Sequence, residues 1–561
     1  MHPGKESGRP RTQIHRGSRW HLPLLLVRVA VVYLRSLGGE FVWDDHTFFI
    51  ENDILPNLRP WDLKSIFLYP TSYWGENLPL TEFLFVLEHS LFGDYTPAYH
   101  AVSLVLYVLV GLAARRLLSG LYLAHELRDK WRPVGFPDNT LPLLVVLLLF
   151  MLHPVHVEVV AYITAQQHLL YALFTFLAID RFCVGFRRGR LAIYKGLLPG
   201  SLFYYLSVLA KYQGISTALF VPALWLLLYR RKGDNLPKAL GFWVAVNIPV
   251  LVWMLWSIQD YQGVGQADLA LWESVPRAIR ILGAHTLLVF KPYPLSFGYP
   301  FEHAWSLDLN FAAGAAILAA LFGMLVWRRG SPATTGLLIF VVYMFPMLQI
   351  VVGVSNAAIY DRYLFVSLLG ICMALERALA WGCVPRDRVG WTYLLPVALV
   401  ALALGALTYS YIPKFRNNVA SIGHSYTAFP GWKRAAFDFG TTLIEAGELD
   451  RAMLLAETES TFSNPAWVRD YFRGWIYLER GDPMRAIDHL ERASAIIQRY
   501  GYFPFDSVPL ARAYIGTGDI ARAERALHRV FRSPIPNPIE RYRAKILLEQ
   551  LAGNRIRTSP N

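Results

Sequence analysis

Long apolar runs alternate with short polar stretches from about Leu22 to Ile412, after which the pattern becomes a helical period with charged faces. A membrane-crossing helix needs about 20 mainly apolar residues. Runs of that kind begin near Leu22, Ala98, Leu141, Leu169, Tyr194, Ile215, Leu240, Phe311, Thr335, Tyr363 and Trp391. A further apolar stretch, residues 275–290, carries Arg277 and Arg280 and leads into Pro292 and Pro294, which marks it as interfacial or re-entrant.

From residue 433 the chain reads as a repeat. The glycine-acid pairs Gly447-Glu448, Gly481-Asp482 and Gly518-Asp519 recur about every 34 residues, the tetratricopeptide spacing. An alanine follows each glycine by five positions (Ala452, Ala486, Ala523), and Leu443, Tyr477 and Tyr514 precede them by four. Pro465 and Pro536 fall near repeat ends. Small residues at such positions let paired helices approach closely, and stacked pairs bury a continuous core. A short array of this kind offers a concave surface for a protein or peptide partner, or is simply a packed helical stack.

Charge places the two halves. The chain has 561 residues, 54% of them hydrophobic and 17% charged, and a net charge of +13. That basicity lies in clusters between apolar runs, so membrane topology accounts for it and nucleic acid is not an expected partner. With the basic N-terminus in the cytoplasm, the cytoplasmic loops hold Arg115, Arg116, Arg128, Lys130 and Arg132; Arg181, Arg187, Arg188, Arg190 and Lys195; Arg230, Arg231, Lys232 and Lys238; Arg328 and Arg329; and Arg377, Arg386 and Arg388. The first outer loop, residues 38–95, has only Arg59 and Lys64 against a majority of acidic residues. The expected fold is all-α: a cytoplasmic tail (1–20), a transmembrane domain (21–412) of about eleven spans, a linker (413–432), an exoplasmic tetratricopeptide α-solenoid (433–553) and a tail (554–561). No cleavage site precedes Phe41, so the first apolar run reads as a retained span, although Arg28 and Arg35 sit within it. A multi-pass protein, with a bacterial inner membrane as the expected location, follows. Cys183, Cys372 and Cys383 form no metal or redox spacing.

Polar residues that the scaffold does not explain gather at the outer ends of spans. They are Asp44 and Asp45; His153, His156 and Glu158; Gln166, Gln167 and His168; Lys211 and Gln213; and Asp361 and Arg362. Ionisable groups at such depth need partners or a wet cavity and so mark a site. Adjacent carboxylates can serve as a general base with an orienting partner, because like charges push one pKa up. Asp44 and Asp45 could instead hold a divalent cation, or be a turn with helix-capping aspartates. The run of residues 152–158 (LHPVHVE) might suggest zinc, but Pro154 breaks the helix that a paired-histidine motif needs. It reads as a polar turn for a phosphate or sugar, or as a helix end with two interfacial histidines. Lys211 and Arg362 could steady a departing lipid phosphate. The plain alternatives are an Asp361–Arg362 ion pair and a snorkelling Lys211.

Residues 41–52 (FVWDDHTFFIEN) resemble the first outer loop of polytopic GT-C glycosyltransferases with C-terminal tetratricopeptide repeats, the O-mannosyltransferase-like proteins. Residues 92–104 (FGDYTPAYHAVSL), 152–163 (LHPVHVEVVAYI), 209–211 (LAK), 292–299 (PYPLSFGY) and 360–365 (YDRYLF) match in order. The resemblance implies inverting transfer of mannose or another hexose from a polyprenyl-phosphate carrier to an acceptor, classically a protein hydroxyl. It implies Asp44 as catalytic base with Asp45 beside it, and Lys211 and Arg362 at the lipid phosphate. His153, His156, Glu158, Gln167, His168 and Asp361 would complete the donor site. The chain departs from the family at Leu78, before Pro79-Leu80, and at Gln166-Gln167-His168, where charged residues are common. A non-catalytic repeat scaffold and a lipid-linked sugar transporter are the rival readings.

Overall fold

A computed structural model describes residue 29 and residues 31–558, apart from residues 53, 70–76, 130–139, 187–191, 232–233, 258–270, 302–305, 329, 351–358, 384–390, 464–466 and 534–536. Among the described residues every regular element is a helix. The fold is all-α and polytopic, as the sequence predicts. Arg28, Pro465, Pro536 and the basic residues Lys130, Arg132, Arg187, Arg188, Arg190, Lys232, Arg329, Arg386 and Arg388 lie outside the described residues. So does most of the first candidate span; the chain is helical from residue 31 to residue 38.

Each of the other ten apolar runs forms a helix, but they differ in length. Among the described residues six helices are long and apolar enough to cross a membrane: Thr96–Arg128, Ile163–Gly185, Tyr212–Tyr229, Leu236–Ser257, Leu309–Trp327 and Trp391–Phe415. A seventh crossing results if the pair Thr140–Met151 and Pro154–Ala161, bent by 54° at their junction, counts as one. The runs near Tyr194, Thr335 and Tyr363 give shorter helices, Leu198–Ala210, Pro332–Met344 and Ser367–Cys383.

Burial sorts the helices. The apolar window of Ile163–Gly185 is 67% buried and lies at the centre, whereas only 11% is buried in Leu236–Ser257 and in Leu309–Trp327. Those outer helices turn Val244, Ile248, Leu251, Val252, Leu255 and Phe322 outward. Such a face suits lipid, where apolar side chains carry no penalty. Lipid supplies little hydrophobic drive between helices, so close backbone approach does the work. Leu271–Phe290 lies on Leu309–Trp327 so tightly that a Cβ on Gly283 would stand 1.7 Å from the Asn310 carbonyl oxygen. In the same helix Arg277 Nη2 donates to the Gln349 carbonyl (3.0 Å) and Arg280 pairs with Asp308 (2.8 Å).

The C-terminal helices form successive antiparallel pairs: Lys433–Glu445 with Leu449–Thr458, Trp467–Glu479 with Pro483–Tyr500, and Ser507–Gly516 with Ile520–Arg532, followed by Pro538–Thr558. Gly447, Gly481 and Gly518 occupy the turns with φ of +75°, +78° and +84°, a region that L side chains rarely adopt. Asp482 and Asp519, the acids that follow two of them, accept from the backbone N–H groups of Arg485 and Arg522 and so cap the next helix. Glu448, one methylene longer, makes no such cap. Ala452, Ala486 and Ala523 are buried between the paired helices.

The linker and the array rest on the loop that carries residues 40–51. Asn418 Oδ1 accepts from the Trp43 N–H (2.7 Å), and the Glu40 N–H donates to the Arg416 carbonyl (2.8 Å). Arg543, in the last helix, pairs with Glu51 of that loop (2.5 Å) and with Glu445 of the first repeat helix (3.0 Å).

Candidate active site

The candidate residues sit where helices break. Asp44 and Asp45 follow Trp43, whose φ of +50° is costly for a bulky residue. Two contacts hold that strained turn: the Asn418 hydrogen bond and a stacked contact with Phe297, ring centroids 4.9 Å apart. Glu158 and Tyr162 come from the bent segment after Pro154. Lys211 is the extended residue that ends Leu198–Ala210. Asp361 and Arg362 open the turn Asp361–Leu364.

The tandem aspartates have different environments. Asp45 is fully buried and takes three donors: the Val42 N–H (2.9 Å), the Thr164 N–H (2.7 Å) and the Thr164 hydroxyl (2.5 Å). Burial pushes its carboxyl up to about 7, against the pull of those hydrogen bonds. Both of its oxygens are therefore engaged, and its part is to fix the turn. Asp44 keeps some solvent contact and accepts from the Tyr162 hydroxyl (2.9 Å). Burial also raises Asp44; the charge of Arg362, the Tyr162 hydrogen bond and the charges of Arg434 and Lys211 oppose the rise. Among the described residues no group of three or more His, Cys, Asp or Glu side chains is placed to hold a metal ion.

Arg362 pairs with Glu158 rather than with Asp361. Its backbone N–H donates to Glu158 Oε2 (2.9 Å) and its Nη1 binds Glu158 Oε1. The guanidinium also lies 4.0 Å over the Tyr360 ring. Asp361 accepts from the Tyr299 hydroxyl (2.6 Å). Burial and the charge of Glu158 hold its carboxyl well above the usual range. The Lys211 ammonium donates to Gln167 Oε1 (2.9 Å). His168 is fully buried, with neither ring nitrogen hydrogen-bonded, and the charges of Lys211 and Arg362 both act on it. An imidazole so placed has donor and acceptor capacity for a polar ligand.

Asp44, Lys211, Arg362, Gln167 and His168 thus share one electrostatic neighbourhood. His153 and His156 have other partners. His153 bridges the backbone, Nε2 to the Val289 carbonyl (3.1 Å) and Nδ1 to the Val155 N–H (3.4 Å). His156 binds the Tyr107 hydroxyl (2.9 Å) amid the rings of Phe150, Tyr107 and Phe365. Gln166 joins a buried network with Glu88, Ser103 and the Tyr99 carbonyl. Tyr162, Thr164 and Tyr299 were not singled out from the sequence. All three carry hydrogen bonds to site carboxylates, and Tyr162 and Tyr299 lie within the family-like segments 152–163 and 292–299.

Comparison with known proteins points the same way. No family model and no solved structure matches the chain. Among curated proteins it is similar to a protein O-mannosyl-transferase of Caenorhabditis elegans, 28% identical over 40% of this chain and 31% of that protein. It is also similar to the protein O-mannosyl-transferases TMTC4 and TMTC1 of Homo sapiens. TMTC4 is 29% identical over 34% of this chain and 27% of its own length; TMTC1 is 30% identical over 29% and 18%. The matched part spans less than a third of the length of each relative. The homologues of this chain are protein O-mannosyl-transferases, the family that its outer-loop and LHPVHVE segments resemble.

Proposed function

We propose that the chain is a membrane glycosyltransferase that moves mannose or another hexose from a polyprenyl-phosphate carrier to a protein hydroxyl on the outer face. In this reading Asp44 takes the hydroxyl proton and the freed oxygen attacks the anomeric carbon. The bond to the carrier phosphate breaks with inversion, and the phosphate leaves with the bonding electrons. Lys211 and Arg362 stabilise the charge that grows on the phosphate, with His168 as a further hydrogen-bonding partner. Asp45, through Thr164 and Val42, positions the turn that carries the base. The array at the C-terminus presents the acceptor, and a bacterial inner membrane belongs to the same proposal.

The observation that carries the reading is the meeting of one partly solvated carboxylate, Asp44, with two cations from segments more than a hundred residues apart along the chain. The test is transfer by the purified full chain from a radiolabelled polyprenyl-phosphate hexose. Asp44→Asn should abolish transfer while the protein still inserts and unfolds at its usual temperature. Unchanged turnover in that variant overturns the assignment.

A further inference from the structure

Beside the proposed reaction centre one buried polar pair joins two elements that carry it. Glu88 lies in the outer-loop helix Pro79–Phe92, and Gln166 is the first residue of the helix Gln166–Gly185; they are 2% and 0% exposed. Gln166 Nε2 stands 2.9 Å from Glu88 Oε1, 3.0 Å from the Tyr99 carbonyl and 3.0 Å from Ser103 Oγ. The Ser103 hydroxyl in turn donates to the Tyr99 carbonyl (3.2 Å). Glu88 Oε2 and Gln166 Oε1 are buried without a partner. Buried acceptors left unpaired are costly, and a network held at such a cost specifies one arrangement of its members.

Both halves of the proposed centre are keyed to this network. On one side is the turn 163–168, which Gln166 anchors. Thr164 donates to Asp45 from its backbone (2.7 Å) and its hydroxyl (2.5 Å), and Gln167 accepts from the Lys211 ammonium (2.9 Å). On the other side is the loop of the tandem aspartates. Phe41 and Phe49 flank Asp44 and Asp45 in sequence, and both pack edge-on against the Tyr99 ring, centroids 5.5 and 5.2 Å away. The carbonyl of that tyrosine is the one that Gln166 takes. Phe85, one helical turn before Glu88, packs on Phe49 at 5.3 Å. Burial, opposed by the Gln166 bond, pushes the Glu88 carboxyl up to about 8, and the charge of Asp45 adds to the rise, so the two acids are close neighbours.

We infer that Glu88 and Gln166 are positioning residues for the proposed transfer: their buried contact sets the turn 163–168 against Tyr99 and so fixes the place of Lys211 relative to Asp44. Neither side chain touches the reacting atoms. The inference rests on the proposed function and adds to it the contact that aligns base and cation. A misplacement of about 1 Å in such a centre costs roughly a hundredfold in rate.

The test is steady-state transfer from a radiolabelled polyprenyl-phosphate hexose by the purified full chain. Wild type, Glu88→Met, Gln166→Met, the double variant and Glu88→Gln are compared as monodisperse protein below their unfolding temperatures. Methionine keeps the side-chain length and deletes the hydrogen bonds. Each single variant should lose about tenfold or more in kcat and show a raised donor KM, because one turn serves both the base and the cation. Glu88→Gln keeps an acceptor for Gln166 and should recover most of that loss. The double variant removes both polar partners, so it should unfold at a higher temperature than either single variant and yet transfer no better. If a single variant does not fold, the double variant and Glu88→Gln decide. A lowered kcat with unchanged donor KM would mean a scaffold role alone and overturn the inference. So would wild-type kinetics in both single variants, wild-type kinetics in the double variant, or Glu88→Gln no better than Glu88→Met. Absence of transfer by wild type overturns the proposed function, and this inference with it, before any variant is compared.

Discussion

Removing one oxygen atom from the site gives the sharpest test of Asp44 as the base. Tyr162 donates its hydroxyl to Asp44 at 2.9 Å, and its ring packs edge-on against Phe297 with centroids 5.0 Å apart. Tyr162→Phe keeps the ring and deletes only the donor. A hydrogen bond to a charged acceptor contributes roughly 1.5–3 kcal/mol net, and one pKa unit corresponds to about 1.36 kcal/mol. Asp44 keeps some solvent contact, so water replaces part of the lost bond and the lower figure applies, about one unit. The sign follows from which form the bond favours. The hydroxyl stabilises the carboxylate, so its loss favours the protonated acid and raises the pKa. The acidic limb of the kcat/KM profile should therefore move up by about one pH unit, with the plateau rate largely kept because the base itself remains. The assay is transfer to a threonine peptide between about pH 5 and 9. A limb that stays in place, or moves down, while Asp44→Asn is inactive would mean that the titrating group is not Asp44.

Three further outcomes separate scaffold from chemistry. Thr164→Val removes the hydroxyl donor to Asp45, at 2.5 Å and fully buried. It should lower stability by roughly 1.5–3 kcal/mol in detergent unfolding, whereas Asp44→Asn leaves stability unchanged. Glu158→Gln strips Arg362 of its anion; breaking a buried pair this way costs about 3–5 kcal/mol, and Arg362→Met in the same chain should restore part of it. Burial holds Asp438 up at about 6 and Asp45 and Glu540 up at about 7, well above their unfolded values. Each raised carboxyl adds stability that is complete below about pH 4 and is lost as pH rises through its folded value. Thermal unfolding between pH 5 and 8 should therefore show stability falling, with a smaller fall in Glu540→Gln; a flat or rising profile refutes it.

Much of this was legible in the residues. Apolar runs of the right length located ten described helices, because a helix in lipid must satisfy its own backbone and is written as an uninterrupted apolar stretch. The turns at Gly447, Gly481 and Gly518 were legible because only glycine takes their φ without strain. Crossing length was harder to read: Leu198–Ala210 and Ser367–Cys383 are apolar, yet their helices are short, and a composition window does not show where a helix stops. The partner of Arg362 was hidden as well. Asp361 is its neighbour in sequence, but the anion that meets it is Glu158, 204 residues away. Arg434 and Asp438 gave no signal, since an i, i+4 pair on an amphipathic helix is ordinary surface until a second domain is laid against it.

The array is more than an attachment, because the helix that leads into it holds the turn that carries Asp44. Trp43 holds a backbone conformation that bulky residues avoid, and such strain persists only when neighbours over-determine it. Two of those neighbours lie in different parts of the chain: Phe297 stacks on the ring, and Asn418, at the start of the helix that leads into the repeats, takes the N–H. Arg543 ties the far end of the array to Glu51 in the same loop. Asp44 is thus aimed by contacts from the membrane domain and from the linker helix that leads into the repeats. The first helix of the array meets the same turn, with Trp432, Arg434 and Asp438 lining one narrow crevice with Trp43.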